Sequence, residues 1–383
     1  MKPDLAATLA GWRRHLHAHP GVTLQEAGTA AFVVARLREM GVTEIAEQVG
    51  GHGVVATLSR GGGNRSVGLR GDMDALPIEE QNSDLPWRST VPGVMHACGH
   101  DGHTTALLGA AKLLLDDTSW TGTVRLVFQP AEEGAGGALS MIEDGLFRRF
   151  PMERIFGWHN WPGLPAGTIA VHDAAVMAAG SRFEIVFDGH AAHAALPHLS
   201  RDPMVAAGHC IVALQSVVAR NLDPVAGGVV SVTMVEGGEA QNQIPRRVTL
   251  KGTARWLRDD AGEALEAGLH RIGEGIAATF GVTATVSWRQ GVPVTANHPA
   301  ERELAAVAGA AVAPVLRDVP PAMTGEDFSW FVKEVPGAFV WIGNGPAEDG
   351  RELHHPRYDF NDAILPVASG FLAEVAKRAL AGD

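Results

Sequence analysis

Residues 123–133 read TVRLVFQPAEE, a run of β-branched, aliphatic and aromatic residues that ends in a proline and two glutamates. The part before the proline, Thr123–Gln129, is typical of a buried β-strand. Ser66–Arg70 and Arg154–Trp158 are also predicted strands, and a predicted helix, Thr104–Asp117, lies between two of these segments. Alternating strands and helices predict an α/β fold, with a mostly parallel sheet and helices on both of its faces.

The pattern changes near residue 180. Elements are then predicted in the order β-α-β-β-α-β, including Phe183–Phe187, Pro203–Asn221, Gly228–Val235, Val248–Leu257 and Ala261–Phe280. This order indicates an inserted α+β domain of ferredoxin-like type with an antiparallel sheet. We therefore predict a catalytic domain in two pieces, 1–178 and 291–383, with an inserted domain at 179–290.

The composition excludes several classes of partner. The 383 residues include 31 Lys and Arg against 43 Asp and Glu, a formal net charge of −12. An acidic surface repels phosphate backbones and anionic lipids, so neither nucleic acid nor membrane is an expected partner. The longest apolar candidate, Leu304–Leu316, is too short to span a bilayer and contains Pro314. With no secretory signal and only Cys98 and Cys210 as cysteines, we expect a reduced, cytoplasmic protein.

Polar side chains follow the three predicted strands of the first domain. They are Asp72, Asp74, Glu132, Glu133 and His159. The carboxyl ends of parallel strands open onto a common crevice, where α/β proteins bind ligands. Two more polar stretches read HACGHDGH at 96–103 and LHHP at 353–356. Because thiolate, imidazole and carboxylate suit zinc and neighbouring divalent metals, the five elements together predict a metal site.

The adjacent residues Glu132 and Glu133 point in different directions if they lie on an irregular turn. One carboxylate can then bind metal while the other reaches a metal-bound water. A metal lowers the pKa of that water from about 15.7 towards about 7, and a carboxylate can then move its proton to a leaving amine. Taken singly, Cys98 fits a buried small side chain, the Glu pair a solvated turn, His159 a core histidine and His354 a loop residue. Their joint occurrence at strand ends favours a metal site over these separate structural roles.

Other catalytic classes lack their signatures. No strand is followed by a Gly-x-Gly-x-x-Gly or Gly-Lys-Ser/Thr phosphate loop, and the chain has no Gly-x-Ser-x-Gly elbow. A cysteine nucleophile stays open, since Cys98 lies among histidines that could serve as its base.

These stretches resemble the amidohydrolase branch of the dinuclear metallopeptidase family, which includes aminoacylases, hippurate hydrolases and indole-acetyl-amino-acid hydrolases. The matching segments are 13–20, 68–78, 95–103, 128–133, 157–159, 325–329 and 353–356. The resemblance implies hydrolysis of small N-acyl amino acids, with an acetyl, benzoyl or similar acyl group, to a carboxylate and a free amino acid. The alternatives are a metallo-dipeptidase or aminopeptidase on the same scaffold and, in a different class, a non-catalytic dimeric binding protein. A non-catalytic binding protein would not need a general base, which is the role that the resemblance implies for Glu132.

The resemblance also implies two divalent metal ions, zinc or manganese, with cobalt or nickel as further candidates. The implied metal ligands are Cys98, His100, Glu133, His159 and His354. The Cys98 thiolate would lie between the metals, and the family's Leu-His-x-Pro pattern selects His354 rather than His355. Glu132 would be the general base and acid, and Asp74 would orient a metal ligand.

The inserted domain resembles the family's lid and dimerisation domain, which implies a homodimer or a larger homo-oligomer formed through this domain. His193 matches the lid histidine that stabilises the oxyanion. The implied substrate-binding residues are Asn242, Arg255 and Gly325. Without the resemblance, Asn242 fits a turn residue and Arg255 a surface cation. The chain departs from the family at Gly21, where Glu is usual, at 190–192, where glycines are commoner, and at Gly325, where many relatives carry Ser. These departures bear on substrate preference.

Overall fold

The structure is a computed structural model that describes residues 3–348 and 351–382. The helices are α1 (Pro3–Ala18), α2 (Ala27–Glu39), α3 (His100–Asp116), α4 (Gly137–Glu143), α5 (Leu146–Arg149), α6 (Pro203–Ser216), α7 (Asp259–Phe280), α8 (Pro299–Ala310), α9 (Phe328–Glu334) and α10 (Leu365–Ala381). The strands are β1 (Ile45–Val49), β2 (Gly53–Arg60), β3 (Ser66–Asp72), β4 (Gly122–Gln129), β5 (Arg154–Pro162), β6 (Ile169–Ala170), β7 (Ala175–Met177), β8 (Ala179–Asp188), β9 (Ala192–His193), β10 (Gly228–Gly237), β11 (Gln243–Ile244), β12 (Arg247–Trp256), β13 (Thr283–Gln290), β14 (Thr295–Ala296), β15 (Val315–Leu316) and β16 (Gly337–Gly345).

The chain falls into two compact units. The first lies within Met1–Val176, Ala296–Pro320 and Asp327–Asp383, and the second comprises Met177–Thr295 and Pro321–Glu326. Each unit has a sheet of its own, described separately below.

The first unit contains an eight-stranded sheet in the order β1-β2-β4-β3-β5-β16-β6-β15. Its central strands β4, β3, β5 and β16 are paired in parallel. The prediction of an α/β fold with a mostly parallel sheet is therefore confirmed. The antiparallel edge formed by β1 and β2 is not predicted, because the short sequence IAEQV of β1 carries little apolar alternation.

Helices cover both faces of this sheet. Phe156 of β5 is fully buried in a cluster that includes Leu107 of α3 and Phe371 of α10. The next residue, Gly157, faces the opposite side, where an added Cβ would lie 2.8 Å from the Phe328 ring of α9. Successive residues of a strand point to opposite faces, so α3 and α10 cover one face and α9 covers the other.

Two predicted boundaries beside the site are wrong. The helix expected at Thr104–Asp117 already begins at His100, because Gly99 adopts a left-handed φ of 91° that lets the chain turn directly into the helix. The strand β5 does not end before His159 but continues to Pro162, because its pairing with β16 extends that far. His100 therefore lies in a first helical turn, and His159 lies within a strand.

The second unit contains a four-stranded antiparallel sheet in the order β10-β12-β8-β13. Together with α6 and α7 its strands follow the predicted β-α-β-β-α-β order. The amphipathic helix α7 buries Leu265, Leu269 and Ile272, which recur at helical spacing. The segment Pro203–Asn221 is long and apolar enough to cross a membrane by length and composition alone, properties that it shares with the core helices of soluble proteins.

Candidate metal centre

The five implied metal ligands lie together in the first unit. The donor atoms of Cys98, His100 and His159 lie within 4.8 Å of one another, and so do those of Cys98, Glu133 and His354. The Cys98 sulfur belongs to both groups. Two groups of three donors that share one thiolate have the composition expected for a pair of divalent ions.

Both buried histidines turn their Nε2 atom towards this cluster. The His159 Nδ1 lies 2.6 Å from the Asn160 carbonyl oxygen, to which it donates, so the acceptor Nε2 faces the Cys98 sulfur at 3.3 Å. The His100 Nδ1 donates to the Asp74 carbonyl at 2.9 Å, and its Nε2 is buried without a hydrogen-bond partner among residues 3–348 and 351–382. Such a hydrogen bond fixes the tautomer that leaves the other nitrogen free to bind metal.

The electrostatics of the cluster fit a cation. Burial alone would lower the pKa of His100, but the Asp72 and Asp74 carboxylates outweigh burial and raise the pKa to about 10. Burial, and then the Glu133 carboxylate, raise the pKa of the Cys98 thiol well above its ordinary value. Both groups thus hold protons in a negative field. Because ligands bind metal in their deprotonated forms, a divalent cation would replace these protons and compensate the field.

Turns bring Glu133 and His354 to the cluster. The His354 Nε2 lies 3.1 Å from the Glu133 Oε1. His354 adopts a left-handed φ of 62°, and its backbone N–H donates to the Ala97 carbonyl at 2.8 Å, which ties its loop to the segment that carries Cys98. The neighbouring His355 instead accepts a hydrogen bond from the backbone N–H of Arg357 through its Nδ1. The structure therefore places His354, and not His355, among the donors.

Glu132 lies beside the shared-thiolate groups. Its carboxylate lies within 4.8 Å of donor atoms of His100 and Glu133. Its Oε1 accepts a hydrogen bond of 3.3 Å from the backbone N–H of Asp327, and its side chain is half-buried. A carboxylate in this position can reach a reacting group beside the metal ligands.

Behind the ligands lies a buried hydrogen-bond network that the sequence analysis does not predict. The His103 Nδ1 donates to Asp72 at 2.6 Å, and its Nε2 accepts from the backbone N–H of Asn160. The Asn160 side chain donates to the Cys98 carbonyl at 2.6 Å and accepts from the Tyr358 hydroxyl at 2.6 Å. The network thus connects the Cys98 segment, β5 and the loop that carries His354. Asp72, His100 and His103 form a further group of neighbouring donors, but hydrogen bonds already use both nitrogens of His103.

One glycine is required where these segments meet. Gly99 has a φ of 91°, and an added Cβ there would lie less than 3.0 Å from both Asn160 and Tyr358. Only glycine therefore permits both the turn into α3 and the close approach of this network.

His193 and Asn242 lie together in the second unit. The short strands β9 and β11 pair His193 with Gln243, and the Ala194 N–H donates to the Asn242 carbonyl at 2.9 Å. The His193 Nδ1 accepts from the backbone N–H of Ala195 at 3.0 Å, so a neutral ring carries its proton on Nε2. His193 is exposed, and it therefore presents an N–H donor outward.

Arg255 and Gly325 also lie together in the second unit. A Cβ added to Gly325 would lie 3.2 Å from the Arg255 Nη1, and one added to Gly180 would lie 2.6 Å from it. Glycines on two sides thus leave room for the guanidinium. Burial and the neighbouring Arg182 lower the pKa of Arg255, and within the part of the chain that the structure describes no carboxylate forms an ion pair with it. A half-buried guanidinium of this kind suits an anionic ligand.

Residues 68–378 match the profile of Peptidase family M20/M25/M40. The chain belongs to this family. Among its curated relatives is N-acetyl-L-cysteine deacetylase of Bacillus subtilis (strain 168), 38% identical over 377 residues that cover 98% of this chain and 89% of the relative. Another is hippurate hydrolase of Campylobacter jejuni subsp. jejuni, 37% identical over 380 residues that cover 98% of both chains.

This member of Peptidase family M20/M25/M40 is also similar to a solved structure from Bacillus subtilis, described as a dinuclear metal binding peptidase from that family. The TM-score is 0.88 at 36% identity, and the match covers 99% of each chain. The resemblance drawn from the motifs is confirmed, and so is the prediction of an enzyme that hydrolyses amide bonds.

Proposed function

We propose that this chain is a metal-dependent amidohydrolase that cleaves N-acyl amino acids to a carboxylate and a free amino acid. The observation that carries the proposal is the pair of donor groups that share the Cys98 sulfur and lie beside Glu132. The named activities of the deacetylase and the hippurate hydrolase support this substrate class.

The metal would be held by the two donor groups already described. One ion would take Cys98, His100 and His159, and the other would take Cys98, Glu133 and His354. When bound, the metals supply an activated water and polarise the amide carbonyl. We propose zinc or manganese as the native metal, with cobalt and nickel as other ions that such donors accept.

Glu132 would carry the proton through the reaction. Its carboxylate takes a proton from the attacking water and returns it to the amide nitrogen as the C–N bond breaks, so that the amine leaves neutral. The hydrogen bond from the Asp327 N–H holds the Oε1 atom of this carboxylate beside the metal ligands. Asp74 would orient His100 through the contact with its Nδ1.

We further propose that the domain at 179–290 is the lid and dimerisation domain and that 1–178 and 291–383 form the catalytic domain. The exposed apolar side chains of Val229, Met234 and Val235 on the edge strand β10 support a homodimer, because apolar edge strands favour pairing with another chain. A cytoplasmic location stays a prediction, supported by the free thiols of Cys98 and Cys210.

Arg255 should recognise the free carboxylate of the substrate, and this provides the test of the substrate class. We expect the unmodified enzyme to prefer an N-acyl amino acid over its carboxamide analogue, since a guanidinium binds a carboxylate with two parallel hydrogen bonds. Arg255→Ala should lose most of this preference, measured as the ratio of kcat/KM for the two substrates. Arg255→Lys should restore only part of it, because an ammonium lacks the planar fork.

The exposed cation Arg289 provides the matched control, since Arg289→Ala removes a charge from the same unit.

Acetyl, benzoyl, indole-acetyl and long-chain acyl amino acids would be compared with dipeptides, with several divalent metals added back. Faster cleavage of dipeptides would replace the proposed function by a metallo-dipeptidase. A preference for the acid that survives Arg255→Ala would assign Arg255 a structural role.

His193 should act on the chemistry although it lies in the second unit. We expect His193→Ala to lower kcat by about 100- to 1000-fold, the usual loss when an oxyanion donor is removed. Metal content, measured by elemental analysis, should not change. The exposed His198 provides the control, and His198→Ala should leave kcat intact. A near-normal kcat for His193→Ala would exclude this histidine from the mechanism.

A further inference from the structure

The turn that carries the two glutamates is held by three successive backbone N–H groups. The Ala131 N–H donates to the Glu26 Oε1 at 3.0 Å. The Glu132 N–H donates to the Asp74 Oδ1 at 3.1 Å, and the Glu133 N–H donates to the Asp74 Oδ2 at 3.0 Å. Two carboxylates therefore accept hydrogen bonds from three successive N–H groups, and proteins use such runs of backbone N–H groups to bind anions.

Ala131 is the strained residue of this turn. Its φ of 55° lies in the left-handed region that residues with a Cβ rarely adopt. A strained backbone of this kind persists only where surrounding contacts hold it. The conformation of Ala131 determines how the chain leaves Pro130, and therefore the direction in which the next side chain, Glu132, projects.

Glu26 is placed to hold that conformation. It lies just before α2 and is fully buried, and its Oε1 also accepts from the Leu24 N–H at 2.8 Å. Its Oε2 is buried without a hydrogen-bond partner among the residues that the structure describes. Burial raises the pKa of Glu26. A buried carboxyl group with one unsatisfied oxygen lowers stability, so stability alone does not explain its presence.

We propose that Glu26 is a positioning residue for the general base, which acts by holding Ala131 in its left-handed conformation and so directing Glu132 at the reacting groups. The proposal rests on the proposed function, in which Glu132 is the base. Asp74 holds the N–H groups of both glutamates, whereas Glu26 holds the residue before them. Both glutamates therefore keep their Asp74 hydrogen bonds when Glu26 is changed, and the change acts first on Ala131, which directly precedes Glu132 and lies one residue further from the metal ligand Glu133.

The test compares Glu26→Ala with Glu26→Gln. Glu26→Ala should lower kcat by about 10- to 100-fold, because a displacement of about 1 Å at a reacting group can cost about 100-fold, while KM and metal affinity stay nearly unchanged. Glu26→Gln keeps an acceptor oxygen for Ala131 and Leu24 and should retain kcat within about threefold. Val33→Ala, a buried change in α2 that lowers the melting temperature without touching the turn, should retain kcat.

A double-mutant cycle separates positioning from general damage to the fold. In a Glu132→Gln background, Glu26→Ala should cause no further loss of kcat, because the group that it positions is already absent. Multiplicative losses would overturn the proposal, and so would a Glu26→Ala enzyme with normal kcat. A normal kcat for Glu132→Gln alone would contradict the proposed function itself. An inactive Glu132→Gln together with a normal Glu26→Ala would contradict only the positioning role of Glu26. A loss of kcat in Glu26→Gln equal to that in Glu26→Ala would also contradict the positioning role.

Discussion

The Glu132→Gln variant is expected to bind its full complement of metal and to lose about 100- to 10,000-fold in kcat, the range that a positioned general base contributes. Glutamine keeps the size of the side chain and an oxygen that can accept the Asp327 N–H. It cannot take a proton from water at neutral pH. Steady-state kinetics and elemental analysis of one preparation measure both quantities.

The neighbouring Glu133 provides the matched control. Glu133→Gln makes the same chemical change one residue along the chain, on a side chain that lies 3.1 Å from the His354 Nε2. We expect this variant to lose metal affinity, and to recover part of its activity when metal is added in excess, because a neutral amide is a weaker ligand than a carboxylate. If Glu132→Gln lost metal and Glu133→Gln kept it, the two roles would have to be exchanged.

Much of the fold can be predicted because its signals are local. The predicted strand Thr123–Gln129 starts one residue after β4 and ends with it, and the predicted helix Ala261–Phe280 starts two residues inside α7. Both carry strong periodicity and end at a proline or a glycine. The start of α3 at His100 is harder to predict, because it depends on the left-handed Gly99 and on the tight packing around it.

The candidate ligands can be predicted because they cluster in short motifs. The residues that hold those motifs in place by hydrogen bonds cannot. Asn160 contacts Cys98 across 62 residues of sequence, and Glu26 contacts Ala131 across 105. Neither residue has a signal of its own, since neither a single asparagine in a strand nor a single glutamate before a helix indicates which distant residue it contacts. Only the sheet order and the loop paths bring them to the site.

Removal of metal is expected to abolish hydrolysis, and added zinc or manganese is expected to restore it. The donors Cys98, His100 and His159 are buried, and the Asp72 and Asp74 carboxylates give the cluster a negative field. Chelation should therefore also lower the melting temperature, since a ligand that binds only the folded state stabilises it. Elemental analysis, activity and melting temperature should change together during titration with a chelator and again during reconstitution.

The same titration decides between metal chemistry and a cysteine nucleophile. Full activity in a preparation shown to be free of metal would contradict the metal-dependent mechanism and favour nucleophilic attack by the Cys98 thiolate. The Cys98→Ser variant distinguishes the two mechanisms independently. If Cys98 is a shared metal ligand, the variant should lose metal and activity together. If Cys98 is a nucleophile, the variant should lose activity and keep its metal. Cys210→Ser is the control, because burial raises the pKa of that thiol to about 12 and no donor group includes it among the residues that the structure describes. Its metal content and kcat should both match those of the unmodified enzyme.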